Sequence, residues 1–323
     1  MNKNSSSILL LNTMVIGVTM TICSNNWLSM WSGMEMSMLS IIPLMHNKKS
    51  MSSESSMKYF IVQSMSSMMF MLSVVSMLIG VSMQYEIIMT IAMSIKIALA
   101  PFHSWILYII EGLEYYPIIL LITIMKIPPL TIISYMSKEL SLMSMTSMII
   151  GSTMCLNQSS LRKIITYSSI FNMGMISSII KQMIMWTSFI MIYSVMLTIF
   201  IMTIKFNKIN FMNQMVFNKF NMYTKTMLWI NLLSMGGFPP LMGFINKLIV
   251  IQFLIMKHEF IQLFIMSMSS LMVMFFYIRL TYISMMVSSI TQKWNKKSNE
   301  MNLSLFSMNL LATPMMFLFK SLL

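Results

Sequence analysis

Five ionisable side chains lie inside long apolar runs of this sequence: Glu35, Lys96, Lys126, Lys247 and Arg279. On insertion scales each costs roughly 2.5–3.5 kcal/mol at the centre of a bilayer, and charges kept there mark ion or proton paths. Burial and neighbouring charge decide whether a lysine keeps its proton, so a carboxylate moving relative to an ammonium can load or unload one. Serial lysines joined by water then make a proton path. A buried structural ion pair is the other reading for Glu35 and Lys126. Lys96 lies five residues before Pro101 and Lys247 seven after Pro240, close to expected helix breaks whose opened backbone groups admit water. Arg279 sits nearer the end of its run, where snorkelling or an inter-helix clamp is the better fit. His103 follows Pro101 and Phe102, where it could pass protons or end a helix with a hydrogen bond. Glu54, Lys58, Glu111 and Glu114 read as solvated charges between runs.

The elements that must position these groups are membrane spans. The 323 residues are 57% hydrophobic and 9% charged, with eight Glu and no Asp, whereas a soluble chain carries about 25% charge. The apolar runs are about 20 residues long and lack strict alternation, which is the helical signal and not that of a barrel. The fold class is therefore all-α and polytopic. Breaks at charges, prolines and polar clusters give eleven spans, at about 7–22, 27–46, 57–79, 86–105, 117–136, 139–157, 163–180, 184–204, 226–257, 260–287 and 303–321. On a straight fifth span Lys126 is about nine residues from either end, roughly 14 Å, too deep to snorkel. The ninth run is too long for one span and contains Gly236, Gly237, Phe238, Pro239 and Pro240; the fourth runs into Ala100 and Pro101. A proline removes a helical hydrogen bond and clashes with the preceding turn, so both should be broken helices, the pattern of an inverted-repeat transporter.

Counting cations in alternate loops puts thirteen on the side that carries Lys3, Lys48, Lys49 and the 205–225 loop. Four, Lys138, Lys181, Lys257 and Lys320, fall on the other. The positive-inside rule places the N-terminus and that loop inside, and the odd number of spans leaves the C-terminus outside.

Other chemistry is excluded by what is missing. No G-x-G-x-x-G and no G-x-x-x-x-G-K-[ST] is present, so no nucleotide site is expected. Cys23 and Cys155 are far apart and His46, His103 and His258 are scattered, which leaves no ligand set for zinc, haem or an iron–sulfur cluster. The net charge of +13 follows topology, since the basic residues separate apolar segments and form no patch interleaved with aromatics; no nucleic acid is expected. The 48 methionines read as lipid-facing filler rather than copper ligands, natural in an AT-rich organelle genome that reads an isoleucine codon as Met. No Arg-rich presequence or small-residue cleavage site is seen near the N-terminus, so neither import nor cleavage is expected.

Taken with their neighbours, these residues resemble the antiporter-like membrane subunits of respiratory complex I. The matching strings run from Trp31 through Gly33 and Glu35 to Leu39, from Ser53 to Phe60, and from Lys96 through Pro101 to His103. They continue from Leu156 through Arg162 to Ile164 with Tyr167 to Ile170, from Leu233 to Leu241, and end at Tyr277 to Leu280. The resemblance implies two inverted five-helix repeats, about 7–136 and 139–287, each with a broken helix, and a C-terminal helix at about 303–321. It implies that Glu35 and Lys96 form the first charged pair, that Lys126 is the central lysine, and that Lys247 belongs to the second break. Asn172 stands where the family pattern has His, so no histidine relay is carried onto that helix. Ile124 and Met125 replace Trp and Gln, and Asn246 and Leu248 replace Pro and Trp around Lys247.

On this resemblance the chain translocates protons across the mitochondrial inner membrane, with its N-terminus in the matrix and its C-terminus in the intermembrane space. NADH, FMN, iron–sulfur clusters and most quinone contacts would lie in other subunits, with no cofactor in this chain. Partners would be neighbouring antiporter-like and small membrane-arm subunits, and lipids such as cardiolipin. A sodium/proton antiporter subunit would share the charged constellation, but the methionine-rich composition and the eleven expected spans, three fewer at the N-terminus than the fourteen of bacterial relatives, argue against it. A non-conducting scaffold leaves four deep charges unexplained.

Overall fold

Serine and threonine supply much of the polar content of the spans, and the helix that carries each hydroxyl also satisfies it. Ser37 Oγ donates to the Met34 carbonyl at 2.8 Å, Ser66 Oγ to Gln63 at 2.7 Å and Thr203 Oγ1 to Phe200 at 2.7 Å. Bonded three residues back, such side chains stay small without leaving an orphan donor, so helices can approach closely through them. The computed structural model describes residues 5–47, 50–80, 84–136, 140–217 and 222–282. It divides into two units, 1–147 and 148–323.

The first unit contains α1 (Ser5–Cys23), α2 (Trp27–Met45), α3 (Ser50–Ile79), α4 (Gln84–Ile97), α5 (Ser104–Gly112), α6 (Tyr115–Ile122) and α7 (Ile127–Ser134). Helices α1 and α2 touch backbone to backbone: a Cβ on Gly17 would lie 2.8 Å from the Gly33 carbonyl oxygen, and one on Gly33 would lie 2.8 Å from that of Gly17. This contact is one turn or less from Glu35, whose helix it fixes. Helix α3 lies against α2, α4 and α5. Its buried stripe runs Ser52, Ser56, Tyr59, Gln63, Ser66, Phe70 and Ser73, the three-to-four spacing of one helical face.

The division between units falls within α8 (Ser141–Cys155). The second unit continues with α9 (Leu161–Ser178), α10 (Met183–Asn207), α11 (Met212–Phe217), α12 (Met222–Gly236), α13 (Met242–Met256) and α14 (Phe260–Tyr282). Helix α12 packs on α14 and α10, and α13 packs on α10 and α14. An isolated bridge joins Ser160 to Phe211 and ties the start of α9 to the approach to α11.

The two expected breaks are present, at residues 98–103 and 237–241. Three features differ from the sequence-based expectation. The fifth span is not straight: α6 stops at Ile122, a 3-10 turn covers Ile124–Lys126, and α7 starts at Ile127. Helix α3 begins at Ser50, so Glu54 and Lys58, placed between spans by sequence, form an exposed ion pair one turn apart on that helix. The 205–225 loop holds the short helix α11 and the first turn of α12. Among the described residues, five helical segments are long and apolar enough to cross a membrane by length and composition: Ser5–Cys23, Ser50–Ile79, Tyr115–Ser134, Met183–Asn207 and Phe260–Tyr282. The described parts of α4, α12 and α13, which flank the breaks, are shorter. The eleventh expected span lies outside the described residues.

Candidate functional site

Helix α4 ends with Lys96 in its last turn. The Leu99 N–H bonds back to the Ser94 carbonyl at 3.0 Å and the Ala98 N–H to that of Ile95 at 3.1 Å, the paired bonds of a left-handed helix stop. Ala98 takes φ 65° to make it, a conformation that costs a non-glycine residue about 1–2 kcal/mol. Across the gap, Trp105 of α5 donates its indole N–H to the Ile95 carbonyl at 3.0 Å. The Trp105 ring lies 6.2 Å from that of Tyr59 on α3.

This geometry holds Lys96 at 9% exposure. Its ammonium lies 3.7 Å from Met34 Sδ. Glu35, the next residue of α2, is half-buried; its Oε1 is buried without a hydrogen-bond partner. Among the described residues Glu35 and Lys96 make no direct ion pair, though they are close enough for Coulombic interaction.

The second lysine stands at the unexpected break. Pro128 and Pro129 have no N–H to return to the carbonyls four residues earlier, so the helix cannot run smoothly through Ile124 and Met125. Thr123 bends the chain, its hydroxyl bonded to the Ile119 carbonyl at 2.7 Å, and the Lys126 N–H bonds to the Thr123 carbonyl at 3.3 Å in the 3-10 turn. Lys126 is 3% exposed. Lys96 and Lys126 line one cavity together with Tyr59, Gln63 and Trp105, and its volume of about 20 Å³ for water-sized spheres has room for a water.

In the second unit the same helix stop recurs. The Phe238 N–H bonds to the Leu233 carbonyl at 3.2 Å and the Gly237 N–H to that of Ser234 at 3.1 Å, with Gly237 at φ 72°. Lys247, on the second turn of α13 and 8% exposed, reaches back over the break and donates to the Gly236 carbonyl at 2.8 Å. Glycine is favoured at 237 on two counts, because a Cβ there would also meet Lys247 Cε at 2.5 Å and displace the side chain that reaches the Gly236 carbonyl. The downstream half of each broken helix therefore bonds to a carbonyl in the last turn of the upstream half: by a neutral indole in the first unit, by an ammonium in the second.

The remaining sequence candidates are peripheral. His103 caps α5 without a side-chain capping bond, and its Nδ1 is buried without a hydrogen-bond partner. Pro101, Pro239 and Pro240 are exposed at the breaks. Arg279 is exposed on α14 and lines a cavity of about 260 Å³ with Asn157, Gln158, Ser159 and Asn213. Sequence reasoning put Lys225 in a loop, but it lies on α12 and is buried. It also missed Tyr193 and Tyr277, whose side chains are fully buried. A tyrosine in an apolar helix carries no sequence signal that separates these two from a lipid-facing one.

The transmembrane family described as NADH:quinone oxidoreductase/Mrp antiporter matches residues 24–83 and 79–273. NADH-ubiquinone oxidoreductase chain 2 of Anopheles gambiae is 34% identical over 315 residues, 93% of this chain and 91% of the relative. That of Boneia bidens is 36% identical over 329 residues, 94% of each. Among solved structures, a chain of respiratory complex I from Thermus thermophilus superposes with a TM-score of 0.83 at 16% identity, over 96% of this chain and 78% of that one. A chain of the Mrp complex from Dietzia gives 0.75 at 13%, over 84% and 59%. These last two likenesses concern the fold. By sequence, over nearly its whole length, the chain belongs to the NADH:quinone oxidoreductase/Mrp antiporter family and, within it, to the NADH-ubiquinone oxidoreductase chain 2 proteins.

Proposed function

We propose that this chain is a proton-pumping membrane subunit of NADH:ubiquinone oxidoreductase and that Glu35, Lys96, Lys126 and Lys247 carry its protons. The observation that supports the path most directly is the cavity shared by Lys96 and Lys126. Two buried ammonium groups on one cavity with room for water can exchange a proton without either side chain crossing apolar packing. Glu35 supplies the negative charge that biases the first of them. Lys247 holds the end of the path in the second unit, on the open carbonyl of a half-helix. Family membership supports the complex, the mitochondrial inner membrane and the pumping role. NADH, FMN, iron–sulfur clusters and most quinone contacts belong to other subunits. The neighbours of this chain are other membrane-arm subunits and inner-membrane lipids such as cardiolipin.

Lys126→Met tests the path, because Met keeps much of the volume and removes only the titratable group. The variant complex should assemble in normal amount and oxidise NADH while delivering fewer protons per NADH into the outer space of sealed particles. Normal assembly with an unchanged proton yield removes Lys126 from the path.

The thirteen-to-four split of loop cations supports an N-terminus and a 205–225 segment in the matrix, with the C-terminus in the intermembrane space. Protease added to mitochondria with an intact inner membrane should leave the 205–225 segment whole and should cut it once that membrane is opened. Cutting in the intact state reverses the orientation.

A further inference from the structure

At the end of α14 the second unit opens a cavity of about 260 Å³, and Arg279 stands on its wall with Asn157, Gln158, Ser159 and Asn213. Backbone contacts hold the walls at a fixed spacing. The Leu161 N–H donates to the Asn210 carbonyl at 3.0 Å and the Met212 N–H to the Ser159 carbonyl at 3.1 Å, on either side of the Ser160–Phe211 bridge. Gln214 Oε1 accepts from the Asn210 N–H at 2.6 Å and fixes the approach to α11. The five polar side chains on the cavity take no part in this scaffold: among the described residues none of them makes a hydrogen bond or an ion pair.

A guanidinium fork, three carboxamides and a hydroxyl can all donate, and the lining contains no carboxylate to receive them. Between residues 148 and 282 the sequence has one acidic residue, Glu259, which precedes α14 and lies twenty residues before Arg279, roughly 30 Å along the helix. Helix α9 starts just past the Ser159 wall with Arg162 and Lys163 in its first turn, which adds two cations to the positive end of its dipole. A donor-rich cavity with this charge selects an anion, and a guanidinium grips a phosphate through paired N–H bonds. The helix that carries Arg279 decides which kind of phosphate. Phe275, Met272, Met268 and Phe264 are exposed and precede Arg279 at steps of four, three, four and four, so they form one apolar stripe leading to it. From Arg279 to Met268 is roughly 16 Å, about half of the ~30 Å hydrocarbon core and so the reach of one acyl chain. A soluble phosphate would fill the cavity and leave the stripe bare, whereas an amphiphile uses both. A zwitterionic headgroup would bring an ammonium that finds no carboxylate here, so the headgroup that fits is anionic.

We propose that the Arg279 cavity binds the phosphate of an anionic glycerophospholipid whose acyl chain lies along the stripe from Phe275 to Phe264. The proposal rests on the reading of this chain as a membrane subunit among inner-membrane lipids, and adds to it a place and a headgroup. With the orientation proposed above, the lipid belongs to the matrix leaflet. Arg279 then neither snorkels to bare water nor clamps a second helix, the two roles its position in the sequence suggested.

The test places the whole complex in phosphatidylcholine vesicles that hold a small fraction of phosphatidylglycerol with a photoreactive diazirine midway along one acyl chain; after irradiation the adducts are mapped by mass spectrometry. They should fall on α14 between residues 264 and 275, and unlabelled phosphatidylglycerol should compete them away. Arg279→Gln should lower them about tenfold, the loss of one charge-assisted pair. Asn213→Asp, an exposed change that adds a negative charge to the cavity wall, should lower them too, and it decides the matter even where Arg279→Gln fails to accumulate. Lys205→Gln removes an exposed cation outside the cavity and should leave them at the wild-type level. Equal labelling by a phosphatidylcholine probe with the same diazirine, unchanged in Asn213→Asp, shows ordinary bilayer lipid and overturns the site. Competition by inorganic phosphate as strong as that by phosphatidylglycerol gives the cavity to a free anion and overturns the lipid. Adducts that fall on a neighbouring subunit and not on α14 show that protein covers the stripe, which also overturns it. NADH oxidation by the same vesicles separates the two readings: normal oxidation without α14 adducts overturns the site alone. A chain recovered apart from any NADH oxidation overturns the subunit reading, while its adducts still decide the site.

Discussion

Gly243→Ala should abolish accumulation of the assembled complex. The Cβ it adds would land on the carbonyl oxygen of Ser234, in the last turn of α12, and within 3.0 Å of Gly237 Cα. Both obstacles are backbone, so neither can swing away as a flexible side chain would. Adding a methyl group to a tight core typically costs about 1–3 kcal/mol, and a clash with fixed backbone belongs at or beyond the top of that range. The adjacent control is Gly236→Ala, whose nearest neighbour is Tyr277 Cβ at 3.1 Å, so α14 has to give by only a few tenths of an ångström. Native gels of the two variants should show little or no complex for Gly243→Ala and most of the wild-type amount for Gly236→Ala. Equal, near-normal amounts would mean that α12 and α13 do not pass this closely at the break.

Glu35→Gln should slow turnover about tenfold, equivalent to ~1.4 kcal/mol in the barrier, and adding Lys96→Met should cause little further loss. The two groups are not in contact, since the ammonium rests on Met34 Sδ, so their coupling runs through the field between them and not through a hydrogen bond. A field of that kind still links the charge states of two groups in an interior where few other charges compete. A double-mutant cycle on turnover and pumping should give an interaction of about 0.5–3 kcal/mol. Fully additive losses would show that Glu35 and Lys96 act independently and that Glu35 does not bias the lysine.

Much of this arrangement was legible in the sequence, and the reason is local chemistry. Pro101 and the Gly236–Pro240 stretch must interrupt a helix wherever they fall, so both breaks could be placed without coordinates. Buried lysines announce themselves by their cost in an apolar run. The third break was missed although its signal was present: Pro128 and Pro129 deny donors to the Ile124 and Met125 carbonyls, but prolines that open a half-helix look the same in sequence as prolines inside a tolerated bend. The close approach of Gly17 to Gly33 joins two helices, and the cavity between Lys96 and Lys126 depends on the packing of several more. Hydropathy and spacing report on one helix at a time and cannot pair faces. The same limit hid Tyr193 and Tyr277, whose complete burial depends on which helix stands opposite.

The ammonium that holds the end of α12 is itself a titratable group, whereas the indole that does the same for α4 is not. A cation at a helix C-terminus contributes about 0.3–2 kcal/mol, and that contribution disappears when the cation becomes a neutral amine, even though the amine can still donate a hydrogen bond. The second elbow of the chain is thus held more tightly when Lys247 is charged than when it is neutral, while the first is held equally in both states. Occupancy by a proton and rigidity of the joint become a single variable at Lys247, so on the proposed path the arrival of a proton there would also be a mechanical event.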